Sequence, residues 1–205
     1  MNKHCELPEL RLRLDEAITY KTPAAALKIA RQGLKESERR GLPGETEYFK
    51  GEMEILRENF SAAIGHFDAA VKHNPLDGAA YNDRALCMVE LGIIDGAMGY
   101  FDKGIEVEPD YATIYHNKGW LLNNIGRFTE ALECLEKALE LEPGRAGTYE
   151  NMADVLANLL DYKGALAAYR KTLSLLKPGY NRQIREQIMG QMRVVQTKII
   201  MEGEE

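Results

Sequence analysis

Apolar and small residues return along this 205-residue chain at a fixed interval. Ala63, Ala97, Ala131 and Ala165 stand 34 residues apart, and Phe67, Phe101, Leu135 and Tyr169 follow them four residues later. Gly51, Ala85, Gly119 and Ala153 form a small-residue series at the same step. Tyr81, Tyr115 and Tyr149 form an aromatic one, and Phe60, Ile94, Phe128 and Tyr162 an apolar one. Pro75, Pro109 and Pro143 mark the same period, and Pro178 falls one residue late. An interval of this length is that of a repeated supersecondary unit. Small residues at fixed places let two helices approach, and large ones beside them fill the groove between. The pattern predicts two antiparallel helices per unit, joined near Glu58-Asn59, Gly92-Ile93, Gly126-Arg127 and Leu160-Asp161. Gly92 and Gly126 suit a left-handed helix end, and Asn59 and Asp161 suit the N-cap that follows. The prolines close each unit, because proline cannot continue a helix interior.

The ends depart from the period. Residues 7–42 hold two helical patterns broken at Thr22-Pro23, with Thr22 as N-cap and Pro23 at the first helical place. They are closed by Gly41-Leu42-Pro43-Gly44. Ile184, Ile188, Met192, Val195 and Ile199 make one apolar stripe of an amphipathic helix. Stacked repeats need a terminal cap with a polar outer side. A dimerisation helix is the alternative for this segment.

The two central units read Tyr81-x2-Arg84-Ala85-x2-Met88…Ala97-x3-Phe101…Pro109 and Tyr115-x2-Lys118-Gly119-x2-Leu122…Ala131-x3-Leu135…Pro143. They resemble the tetratricopeptide repeat, W-x2-L-G-x2-Y…A-x3-F…P. The flanking units match less fully: Glu47 stands where an aromatic is usual, and Lys177 precedes the late Pro178. The resemblance implies an all-α, right-handed α-solenoid of antiparallel helix pairs. Its four units would span 44–77, 78–111, 112–145 and 146–179. A degenerate helix pair at 1–43 would precede them, and a C-terminal capping helix with an acidic tail at 180–205 would follow.

Composition removes several function classes. The 26 basic residues against 32 acidic ones give a net charge of −6, a weak electrostatic case for nucleic acid. No stretch approaches the roughly 18 apolar residues of a membrane span. Lys3, Glu6, Glu9, Arg11, Arg13, Asp15 and Glu16 interrupt any signal-peptide apolar segment. Cys5, Cys87 and Cys134 form no CxxC pair, and a cytoplasmic location is expected. No GxxxxGK[ST], GxGxxG or HExxH motif occurs. His66 and His73 read as a surface pair and Cys87 as a small buried thiol. No catalytic residue, cofactor or metal is expected.

The resemblance also places a binding site, because in this family the first helix of each unit lines a concave groove. The matching series are Tyr48, Asn82, His116 and Glu150, then Phe49, Asp83, Asn117 and Asn151, then Glu52, Leu86, Trp120 and Asp154. Ile55, Val89, Asn123 and Ala157 follow, with Leu56, Glu90, Asn124 and Asn158 beside them. The peptide-binding residues expected from these series are Tyr48, Phe49, Glu52, Asn82, Asp83, Leu86, Glu90, His116, Asn117, Trp120, Asn123, Asn124, Asn151, Asp154 and Asn158. An asparagine amide both donates and accepts, so it can pair with the backbone of an extended peptide. Glu45, Glu52, Asp83, Glu90, Glu150 and Asp154 make the wall acidic, with no Lys or Arg among these places. A basic protein or peptide segment is the partner such a wall selects. A known subclass grips a C-terminal carboxylate with cations that Tyr48, Glu52, Asp83, Thr113 and Asn117 do not supply. The expected function is a protein–protein interaction scaffold or adaptor. The alternatives are a self-associating structural protein, possible as a homodimer through the C-terminal helix, and a non-catalytic accessory subunit of a larger complex.

Overall fold

The computed structural model describes residues 7–20, 22–176 and 182–202, and all of its regular structure is helical. Cys5, Lys177, Pro178 and the end of the acidic tail lie outside the described residues. Contacts divide the chain into two compact units, Met1–Pro109 and Asp110–Glu205.

The first unit holds α1 (Leu7–Tyr20), α2 (Pro23–Arg40), α3 (Pro43–Ile55), α4 (Phe60–His73), α5 (Gly78–Glu90) and α6 (Ile94–Val107). Each helix packs on the next in chain order. Thr22 caps α2 by accepting from the Ala25 N–H at 3.3 Å, with Pro23 in the first turn. Gly41 ends α2 at φ 64, the left-handed conformation that glycine adopts without strain. The core joins Leu10, Leu14 and Ala17 of α1 to Ala26 and Ala30 of α2. Tyr48 and Phe49 of α3, Ala63, Phe67 and Ala70 of α4, and Ala80 and Cys87 of α5 continue it.

The second unit holds α7 (Ala112–Asn124), α8 (Phe128–Leu141), α9 (Ala146–Asn158), α10 (Tyr162–Leu175) and α11 (Arg182–Glu202). Here too each helix packs on its successor, and α7 also touches α9. The small and large series meet face to face. A Cβ on Gly119 of α7 would lie 2.8 Å from Cγ of Leu135 in α8, so glycine is what lets this pair close. The stripe Ile184, Ile188, Met192, Val195 and Ile199 packs with Ala165, Tyr169 and Leu173 of α10 and with Ala153 and Leu156 of α9. Ile188 and Val195 are buried, so this face of α11 is used within the chain.

Pro75, Pro109 and Pro143 fall just beyond the ends of α4, α6 and α8. The turns recur as well. Glu58, Gly92, Gly126 and Leu160 all have positive φ, at 60°, 75°, 80° and 65°. Asp161 caps α10 by accepting from the Gly164 N–H at 2.9 Å. Asn59 differs from expectation: its side chain makes no cap bond and donates to Oε2 of Glu54 at 3.0 Å. The preceding acid competes successfully for the amide. No helix among the described residues is long and apolar enough to cross a membrane.

Candidate functional site

In the first unit the expected wall is largely filled from within. Arg11 of α1 donates from Nε and Nη2 to the Glu45 carboxylate at 3.0 and 3.1 Å. It also donates from Nη1 and Nη2 to the Asp77 carboxylate at 2.9 and 2.7 Å. Its guanidinium lies 3.6 Å from the centroid of the Tyr48 ring. Burial opposes the charge of Arg11, but the bond to Asp77 and the neighbouring carboxylates hold its pKa well above the usual value. Asp77 also caps α5, accepting from the Ala80 N–H at 3.1 Å. The wall positions of this unit hold no Lys or Arg, but Arg11 of α1 brings a cation to Glu45 from outside that series.

Tyr48 and Phe49 are buried and stack edge-on, with ring centroids 5.6 Å apart. Phe49 points into the space left by Gly33 of α2: a Cβ there would lie 2.2 Å from its Cε1. Gly33 stands one period before Phe67, so the degenerate first pair lacks the large residue of that series, and Phe49 fills its place. Glu52 and Asn82 are buried too, at 3 % and 2 % exposure. Tyr48, Phe49, Glu52 and Asn82 are packing residues and do not form an open groove. Asp83 and Leu86 are half-buried, and Glu90 is exposed. Asp83 accepts from Nδ2 of Asn82 at 2.8 Å.

The second unit keeps a more open polar face on α7 and α9. His116 Nδ1 lies 3.0 Å from the hydroxyl oxygen of Thr148, which is fully buried. Burial, reinforced by the charge of Arg145, pushes the imidazole pKa down to about 3, so His116 is neutral at neutral pH. Arg145 itself donates to the Thr113 hydroxyl oxygen at 2.8 Å and pairs with Glu142 at 3.5 Å. Asn158 Nδ2 donates to Oδ1 of Asn123 at 2.9 Å, about one period apart. Asn117, Trp120 and Asn151 are half-buried, and Asn124 is exposed.

Glu150 and Asp154 lie one turn apart on α9, both half-buried. Burial raises the pKa of Glu150, and the charge of Asp154 adds to it. Burial raises that of Asp154 as well, opposed by the hydrogen bond from the Tyr169 hydroxyl. No cation among the described residues pairs with either carboxyl. In the first unit, by contrast, Glu45 and Asp77 share Arg11, Glu47 holds Lys50 at 2.7 Å and His66 at 2.7 Å, and Asp68 holds Arg84 at 2.6 Å.

Residues 57–112 and 112–145 match two descriptions of the tetratricopeptide repeat family. Residues 57–145 carry tetratricopeptide repeats. Solved structures with the same fold include TTC0263, a thermophilic TPR protein of Thermus thermophilus. It aligns at a TM-score of 0.71 and 16% identity over 94% of this chain and 100% of that one. MamA from Desulfovibrio magneticus RS-1, from residue 41 to its end, aligns at 0.58 and 19% identity, covering 82% and 94% of the two chains. Another MamA structure aligns at 0.60 and 18% identity, covering 79% and 93%. At these identities the likeness is one of fold. No curated protein matches the sequence significantly.

The residues missed by sequence reasoning are Arg11, Arg145, Thr148 and Tyr169. Arg11 had a signal: it stands one period before Glu45, so the wall register extended backwards lands on it. Tyr169 had one as well, since it alone in the series of Phe67, Phe101 and Leu135 ends in a hydroxyl. Arg145 and Thr148 had none, because their roles depend on what faces them from α7.

Proposed function

We propose that this tetratricopeptide-repeat chain is a non-catalytic, cytoplasmic interaction module whose α7–α9 face receives a basic segment of a partner protein. The observation that carries the reading is the pair Glu150 and Asp154, half-buried on one face of α9 without a cation. Partly desolvated carboxylates repel each other unless a positive group offsets them. Trp120 occupies on α7 the register that Asp154 occupies on α9, and an aromatic face beside carboxylates suits Arg or Lys. The first unit offers a precedent within the same chain, where Arg11 lies over Tyr48 between two carboxylates. Asn117, Asn151 and Asn124 supply amides for the backbone of an extended segment.

Trp120 is the single tryptophan, so its fluorescence reports this face directly. Peptides carrying Arg or Lys are expected to perturb it and to bind less tightly as salt rises, because exposed charge pairs are screened. The double change Glu150→Gln with Asp154→Asn is expected to remove the preference for basic peptides. Equal binding of neutral and basic peptides, or full affinity in the double variant, would overturn the reading.

A further inference from the structure

Glu52 of α3 is 3 % exposed, yet it faces a second carboxyl, that of Asp83 on α5. Asp83 accepts from Nδ2 of Asn82 at 2.8 Å, and the Tyr48 hydroxyl and the Glu52 carboxyl lie beside its carboxylate. Tyr48 and Asn82 are themselves buried, at 2 % exposure each. Asp83 is thus an acceptor within a buried polar cluster, and Glu52 can donate to it only while it holds a proton. Two carboxylates in contact cannot both ionise without strong repulsion, and a single shared proton turns the repulsion into a hydrogen bond.

The surrounding charges do not replace that proton. From α1, Asp15 adds to the negative field on Glu52, and Arg11 opposes it. The Arg11 guanidinium, however, is committed to Glu45 and Asp77 through four hydrogen bonds. On α5, Arg84 donates to Asp68 of α4 at 2.6 Å. Glu90 and the buried thiol of Cys87 add no positive charge, and burial pushes that thiol up.

We propose that Glu52 and Asp83 form a proton-dependent latch joining the first helices of two successive repeats, closed when one proton is shared and released as rising pH removes it. Burial first, then the charges of Asp83 and Asp15, hold the Glu52 carboxyl well above the usual carboxylate range. The unfolded chain gives up this proton near the ordinary glutamate value, whereas the folded chain keeps it. The stabilising effect is therefore complete below the ordinary value and is lost as pH rises to the folded one. Between the two, the unfolding equilibrium constant rises by up to about tenfold per pH unit. The latch lies outside the α7–α9 face, so its test is independent of partner binding.

Denaturant unfolding of the full chain, followed by circular dichroism between about pH 5 and 8, tests the latch. The upper limit keeps the measurement below the range in which the Cys87 thiol titrates in the unfolded chain. The change Glu52→Gln keeps a donor for Asp83 and removes the titration. The ratio of unfolding constants, wild type over Glu52→Gln, should climb with pH, and a ratio independent of pH would overturn the proposal. Carbon-13 titration of the side-chain carboxyls keeps the question open to refutation should Glu52→Gln not fold. The Glu52 carboxyl should titrate above the ordinary glutamate range, and the change Asp83→Asn should lower its midpoint. A Glu52 midpoint in the ordinary range, or a high Glu52 midpoint unmoved by Asp83→Asn, would refute the latch.

Discussion

His116 is held neutral by burial and by the charge of Arg145, with its pKa pushed down to about 3. An unfolded histidine titrates near about pH 6.5, so below that value the unfolded chain binds a proton that the folded one refuses. Stability from this residue is complete above about pH 6.5 and falls as the pH drops, by up to about 1.4 kcal/mol per pH unit. The change His116→Gln should flatten the acid limb of unfolding curves read by Trp120 fluorescence, and an unchanged limb would count against the burial. The same scale shows where a groove register misleads. Tyr48, Phe49 and Glu52 stand at wall positions by count, yet their neighbours are Arg11, Gly33 and Asp83. A one-dimensional period locates a position on a helix and cannot say whether a side chain from an earlier repeat already covers it.

At the level of the element, the turns between paired helices use one conformation four times, and glycine occupies it only twice. Leu160 sits there at φ 65 and 66% exposure, so it carries the strain of a left-handed backbone and buries little in return. Leu160→Gly should stabilise the chain by about 0.5–1 kcal/mol, the relief of strain less the extra freedom glycine has when unfolded. Gly92→Ala, at φ 75, should cost about 1 kcal/mol. Denaturant midpoints of the two variants moving in the same direction would contradict this account. The turn positions and the left-handed glycines were legible, because such signals are local. The exchange at Asn59 was not, because Glu54 lies a full turn away and competes for the same amide.

In the molecule as a whole, α11 covers the exposed side of the last pair. Burying Ile188 and Val195 contributes about 1.5–3 kcal/mol each before the entropy of ordering the helix is subtracted. Removing residues 181–205 should therefore lower the melting temperature and expose Ala165 and Tyr169. A truncated chain equally stable and soluble would show that α11 supports nothing. Outer-face side chains such as Met189, Val194, Ile200 and Met201 remain exposed. Self-association through this helix would have to use them, since its main stripe is occupied.

The repeat, the helix pairs, the left-handed turns and the stripe of α11 were all readable before any folding in space was known. They follow from spacing along one chain, where backbone conformation and side-chain face are set by near neighbours. Which wall positions stay open emerged only from the packed helices. Arg11 reaches Glu45 and Asp77, Phe49 fills the space at Gly33, and Glu52 meets Asp83, each between residues distant in sequence. Burial and electrostatic pairing act through space, so the charge carried by a side chain depends on groups that the period does not place beside it. That is why Glu52 and Asp154, acids at corresponding repeat positions, differ, with Glu52 beside Asp83 in the core while Asp154 is half-buried beside Glu150.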